Sequence, residues 1–235
     1  MSPIDRPPEG PAFWPTPYSA ALVQVLRRHA EWVQDARVLE IGCGSGVVLA
    51  AAGVLGAASL CGVDVEAAAV AATCRLLETL DPRVAFEVHQ GDLFAPVAGR
   101  GFELILANLP HFPMEAAAIG DRLPSWSSGG PDGRHLVDPF VAGLAAHLTP
   151  DGRAIMAHNA FIGIDATTAT ALRHGLRVEV AATILVDLPP PKLARMTPDV
   201  LNREKGRSIH VYGHLAFGEM MVLIISRNRV AGGAL

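Results

Sequence analysis

Apolar and polar positions along this chain follow two periods that take turns. Residues 18–33 (YSAALVQVLRRHAEWV) set Leu22, Val25, Leu26 and Val33 on a helical stripe and leave Arg27, Arg28 and Glu31 for solvent. Beyond them, short apolar runs alternate with helical stretches. Strands are expected at 36–42, 58–64, 83–89, 102–108, 153–159 and 176–188, with a late one at 219–228. Helices are expected at 47–56, 66–80, 135–148 and 165–175, two of them ended by Gly56 and Gly175. Runs such as LILA and AIMA are apolar on consecutive positions, as strands covered on both faces are. Strand–helix alternation points to an α/β fold with a mostly parallel sheet and helices on both faces. Residues 1–17 read as an irregular arm before a single domain, 18–235, with insertions at about 112–134 and 189–208. No internal repeat is visible.

Composition sharpens the picture. Half of the 235 residues are hydrophobic and 18% are charged, which excludes a disordered chain. From Ile41 to Val63 there is no charged residue. That stretch is punctuated by Gly42, Gly44, Gly46, Gly53, Gly56 and Gly62, whereas a spanning helix prefers Leu, Ile, Val and Phe. It reads as turn, helix and strand in a buried core, not as a membrane segment. The formal net charge of −4 gives no general pull toward phosphate backbones or anionic lipid. Cys43, Cys61 and Cys74 are too few and too odd in number for a disulfide framework, and none has metal-ligand spacing in the sequence; no metal is expected. The leader MSPIDRPPEGPAFWPTP lacks the apolar core of a signal peptide, so the expected location is the cytoplasm.

The chemistry concentrates after the first strand, in Val38-Leu39-Glu40-Ile41-Gly42-Cys43-Gly44-Ser45-Gly46. Glycines let a ligand lie against the backbone, and the following helix points its N–H groups at that ligand. A dinucleotide turn, G-x-G-x-x-G, would need its third glycine at Val47 or Leu49; neither fits. Asp64 ends the second strand, where a carboxylate can accept both ribose hydroxyls or cap the helix after Glu66. Asp92 follows the third strand, where it can meet an adenine edge with Leu93 against the ring face. Asn108 ends the fourth. These are the carboxyl ends of strands, where open α/β sheets bind ligands.

These residues together resemble the class I S-adenosylmethionine-dependent methyltransferases, from about residue 13 to 160. VLEIGCGSG resembles their first motif, GVD with Asp64 their second, and QGDLF with Asp92 their adenine-side motif. The resemblance implies a Rossmann-like seven-stranded methyltransferase sheet with one late antiparallel strand. It implies S-adenosyl-L-methionine as cofactor, with the glycine loop along the methionine part, Glu40 anchoring beneath it, and Asp64 and Val65 at the ribose. The implied cofactor set is Tyr18, Glu40, Gly42, Gly44, Gly46, Asp64, Val65, Asp92, Leu93 and Asn108.

Ala107-Asn108-Leu109-Pro110-His111-Phe112 resembles the N-P-P-Y/F signature of enzymes that methylate planar nitrogen: HemK-like protein glutamine methyltransferases and the adenine-N6 and guanine-N2 enzymes. A stiff turn there offers the Asn oxygen and a backbone carbonyl to an NH₂ group, and an aromatic stacks on it. Leu109 replaces the first proline and His111 the aromatic; a histidine can stack or take a proton. Phe13-Trp14-Pro15-Thr16-Pro17-Tyr18 resembles the arm that closes over the cofactor in the HemK-like branch, and Ser128-Gly129-Gly130-Pro131-Asp132-Gly133 a G-G-x-D-G segment of that branch.

The resulting expectation is nitrogen methylation, with Asn108 and His111 catalytic and Asn108, Leu109, Pro110, His111, Trp126 and His158 around the acceptor. Basic residues in 189–208 (Lys192, Arg195, Arg203, Lys205, Arg207) suit a carboxylate or phosphate on the substrate. A small-molecule or peptide acceptor is favoured; nucleic acid is disfavoured by the charge, and a homodimer stays open. Base methylation, O-methylation with His111 as base, a nicotinamide-dependent oxidoreductase and a non-catalytic cofactor-binding module are the alternatives.

Overall fold

The computed structural model describes residues 14–115 and 128–228, and the statements below concern those residues. Residues 1–13, Trp126 and most of the expected 112–134 insertion lie outside them.

The seven expected strands are present as β1 (Arg37–Ile41), β2 (Ser59–Asp64), β3 (Ala85–Gln90), β4 (Phe102–Ala107), β5 (Leu148–Asn159), β6 (Leu176–Asp187) and β8 (Leu215–Arg227). A further short strand, β7 (Ile209–Tyr212), pairs with β8. The sheet order is β3-β2-β1-β4-β5-β8-β6. Pairs from β3 through β5 are parallel, and β8 runs against both β5 and β6. The helices are α1 (Pro17–Arg28), α2 (Val47–Val54), α3 (Ala67–Leu77), α4 (Val137–His147), α5 (Ile164–Arg173) and two short ones, α6 (Pro190–Leu193) and α7 (Pro198–Glu204).

Successive strand residues point to opposite faces, and the apolar content divides accordingly. Val38, Leu104, Leu106, Ile155 and Val222 form one core with Leu22, Leu26 and Leu49 of α1 and α2. Leu39, Ile105, Ala154, Met156 and Leu223 form the other with Phe140, Leu144 and Ala171 of α4 and α5. The high apolar fraction is therefore the requirement of a sheet with two buried faces. The charge-free stretch is a turn, α2 and β2. Among the described residues no helix is long and apolar enough to cross a membrane.

Three differences from the sequence reading have physical causes. The first helix ends at Arg28 and continues as a 3₁₀ turn, Ala30–Trp32; the His29 ring stacks on Trp32 at 3.8 Å. The 189–208 segment holds α6 and α7; Met196 between them and Val200 of α7 are buried. The last strand begins at Leu215 because Gly213, with φ 63°, turns β7 back into it.

The three cysteines are free thiols, two of them buried. Pairing of β2 with β3 brings Cys61, Glu87 and His89 together, a cluster with no signature in the linear spacing; Arg100 is ion-paired with Glu87 there.

β1 and β4 are neighbours, but the chain leaves β1 toward β2 and leaves β4 toward β5. Their carboxyl ends therefore open into an uncovered crevice, the usual ligand site of such sheets. Ile105, wholly buried in the middle of β4, tests the core beneath it. Ile105→Ala is expected to lose about 3 kcal/mol of unfolding free energy, measured by urea denaturation.

Candidate functional site

A cavity of about 430 Å³ occupies that crevice. Its floor is the turn after β1. Gly42, Gly44 and Gly46 have φ of 72°, 54° and 78°, in the left-handed region that side chains disfavour. A Cβ on Gly42 would lie 3.1 Å from the Leu109 side chain, so the glycine turn and the segment after β4 are in contact. Gly42 and Gly44 line the cavity, but Gly46 does not. It faces α3, where a Cβ would come within 2.9 Å of Thr73. The buried Thr73 hydroxyl also donates to the Gly44 carbonyl at 3.1 Å, pinning the turn from behind.

The first turn of α2 has glycine at its N-cap and no side chain of its own to cap it. Glu40 supplies the missing acceptor from β1: its Oε2 takes the Leu49 N–H at 3.0 Å. Glu40 is buried, and burial pushes its pKa up to about 8 against the pull of that hydrogen bond. Asp64 accepts from the Gly44 N–H at 2.9 Å and from the Glu66 N–H at 3.0 Å; it faces the cavity and steadies the next helix start. Burial raises its pKa, with those backbone bonds opposing. Val65, Asp92 and Leu93 complete this side of the wall. Leu93 has φ 43°, an unusual conformation for a leucine and one that clusters at functional sites.

The opposite side is the segment Asn108-Leu109-Pro110-His111, all four on the wall. His111 is buried, and its Nδ1 lies in hydrogen-bond contact with the Leu109 carbonyl. A carbonyl only accepts, so Nδ1 carries the proton and the lone pair sits on Nε2. Nε2 has no hydrogen-bond partner among the described residues. Burial lowers the His111 pKa to about 4, so the ring is neutral at pH 7. Tyr18 of α1 meets the ring edge-on at 5.7 Å and donates to Asn159 Oδ1 at 2.7 Å.

His158 does not reach the cavity. Strand alternation turns it, with Ala154 and Met156, toward α4 and α5, and turns Asn159 toward α1 and the cavity. His158 is wholly buried behind His111, with ring centroids 6.5 Å apart, and its Nε2 bonds Thr167 Oγ1 at 2.8 Å. Arg134 donates to the same Thr167 oxygen and to the carbonyls of Ile162 and Gly163. The Ser128–Gly133 segment packs backbone to backbone on the acceptor motif: a Cβ on Gly129 would meet His111 Cα at 2.7 Å, and one on Gly133 the His111 carbonyl at 2.8 Å. Thr16, Ser19 and Ser45, from the arm and the glycine turn, also line the wall, as do Glu66 and His135, which only spatial convergence reveals. Of the five basic residues in 189–208, Lys192 alone is on the wall.

Residues 38–122 match a protein family described as a methyltransferase domain. A provisionally named protein N5-glutamine methyltransferase of Methanocaldococcus jannaschii is 31% identical over 155 residues, 66% of this chain and 77% of that protein. The release factor glutamine methyltransferase of Gloeobacter violaceus is 30% identical over 179 residues, 72% of this chain and 61% of that one. This chain thus spans less than two thirds of that relative's length. The crystal structure of ribosomal protein L11 methylase from Lactobacillus delbrueckii subsp. bulgaricus has the same fold, with a TM-score of 0.55 at 16% identity over 90% of this chain and 79% of that one.

The neutral, buried His111 makes stability depend on pH. Its folded pKa of about 4 lies below the ordinary value near 6.5, so the unfolded chain binds more protons between the two. Stability is full above about 6.5 and falls as pH drops toward 4, by up to about 3 kcal/mol from this group. Thermal melts from pH 8 to 4 are expected to show the fall, and His111→Phe is expected to shrink it.

Proposed function

The chain belongs to the class I S-adenosylmethionine-dependent methyltransferases, and from that premise we propose that it methylates the side-chain amide nitrogen of a glutamine in a protein or peptide. The observation that carries this reading is the contact of two segments: the glycine turn touches Leu109, so the cofactor side and Asn108-Leu109-Pro110-His111 share one cavity. The relatives named for glutamine methylation support the amide as acceptor.

The cavity fits the cofactor by its own chemistry. Bare backbone at Gly42 and Gly44 leaves room along the floor, and Glu40, Asp64, Glu66 and Asp92 form a carboxyl-rich wall suited to a cationic ligand with ribose hydroxyls. In this reading the glycine turn and Glu40 hold the methionine end, Asp64 the ribose, and Val65, Asp92 and Leu93 the adenine side, while Tyr18 lines the cavity beside His111 and Asn159. The bound cofactor supplies a methyl group already activated on sulfonium.

The protein's task is then to orient the nitrogen and remove its proton. Asn108 Oδ1 accepts one amide hydrogen. His111 Nε2, the acceptor left by the Leu109 contact, is closed off from the cavity in this structure and takes the other once the ring turns toward the bound amide. An amide loses its resonance when its nitrogen gains a fourth bond, and the N–H becomes strongly acidic. A ring held near pKa 4 is still basic enough to receive that proton. Pro110 stiffens the turn, and Gly129 and Gly133 hold the His111 backbone from behind.

Isothermal titration should give saturable binding of S-adenosylmethionine, and labelled-methyl transfer should mark glutamine peptides. Asn108→Ala is expected to keep cofactor affinity and lose about a hundredfold or more in kcat. His111→Phe restores a stacking ring without a proton acceptor and is expected to fall similarly. An unchanged kcat in either variant would remove that residue from the mechanism.

A further inference from the structure

A primary amide brings two demands into a cavity: its N–H groups need acceptors, and its carbonyl oxygen needs a donor. Asn108 and His111 answer the first. We propose that Asn159, at the end of β5, answers the second: its side-chain N–H binds the carbonyl oxygen of the acceptor amide and so selects an amide over an amine. This rests on the reading of a glutamine acceptor.

Asn159 is buried and lines the cavity with Asn108, Leu109, Pro110 and His111. β5 lies beside β4 and outlasts it: Ala107, the last residue of β4, pairs with Met156, and the strand runs on to Asn159. There the backbone is still held, paired with the wholly buried Met220 of β8. The side chain therefore projects from a fixed strand end, not from a loop. Its amide is oriented by Tyr18, whose hydroxyl donates to Asn159 Oδ1 at 2.7 Å. The reverse orientation would set the amide nitrogen, which has no lone pair to accept, against the phenol hydrogen. Burial raises the Tyr18 pKa above its ordinary value, so the phenol keeps the proton that it donates. With its oxygen committed to Tyr18, Asn159 has only N–H groups to offer a ligand. Two hydroxyls of the same wall are committed elsewhere: that of Tyr18 to Asn159, and that of Ser128 to the Met114 carbonyl at 3.0 Å. A carbonyl oxygen that entered without a donor would lose its bond to water and gain nothing. An amine has no such oxygen, so the Asn159 N–H contributes nothing to its binding.

The test uses the full chain and two peptides, one with glutamine and one with ornithine at the same position. Ornithine keeps the terminal nitrogen and replaces the carbonyl by a methylene. Asn159→Ala is expected to raise KM for the glutamine peptide about tenfold or more, with a smaller change in kcat. Its affinities for S-adenosylmethionine and for the ornithine peptide should stay as in the wild type. Asn159→Asp offers a carboxylate where the N–H was and should turn binding toward the ornithine peptide. Tyr18→Phe frees the amide to rotate and should weaken glutamine-peptide binding in the same direction. In NMR spectra of the protein saturated with S-adenosylhomocysteine, the Asn159 side-chain NH₂ signals should move with the glutamine peptide and not with the ornithine peptide. An unchanged KM in Asn159→Ala, an equal loss of affinity for both peptides, or NH₂ signals that ignore the glutamine peptide overturns the proposal. If no glutamine peptide is methylated or bound, the glutamine reading fails, and Asn159 is judged with propionamide and propylamine on the same saturated protein. NH₂ signals that move with propionamide alone, and binding that Asn159→Asp abolishes, support the donor; signals that move with both or with neither overturn it.

Discussion

Side by side at the centre of the sheet, β1 and β4 send the chain away in opposite directions. No connection crosses the gap between their carboxyl ends, and the rest of the molecule is arranged around that gap. A parallel strand needs its crossover packed on one face or the other, so two neighbours whose crossovers diverge must leave a crevice. Every strand that ends there contributes a turn to its wall: Gly42 after β1, Asp64 at the end of β2, Asp92 after β3, Asn108 after β4 and Asn159 at the end of β5.

The wall at Asn108–His111 is supported in depth. His111 lies against Tyr18 from one face of the sheet and in front of His158 from the other. Behind His158 stand Thr167 and then Arg134, which ties α4 through Asp138 to the carbonyls before α5. Thr167 and Arg134 are hydrogen-bonded there and rigidify their surroundings, whereas His111 Nε2 and His158 Nδ1 have no hydrogen-bond partner among the described residues. The corner at Asn108–His111 is therefore braced from both faces of the sheet.

Much of this was legible in the residues. Unbroken apolar runs marked β4 and β5, and the glycine turn with Asp64 marked the cavity floor. Less was legible where spacing and orientation part company. Gly46 repeats the spacing of Gly42 and Gly44 yet faces α3, because by then the chain has entered a helix. His158 and Asn159 are adjacent in sequence and on opposite faces of β5; counting by twos from Met156 would have assigned them correctly. β7 is four residues long, too short to carry a period. Nothing in five basic residues singles out Lys192 as the one that reaches the wall.

The Glu40–Leu49 hydrogen bond has a consequence for how the turn comes into being. The residue that completes the first turn of α2 is not a neighbour on the helix but a side chain on β1, nine positions earlier. Local helix formation cannot supply it. The helix start acquires its acceptor only once β1 has docked and Glu40 has been desolvated between α2 and the sheet. The bare glycine turn is thus shaped by tertiary assembly rather than by the helix that follows it.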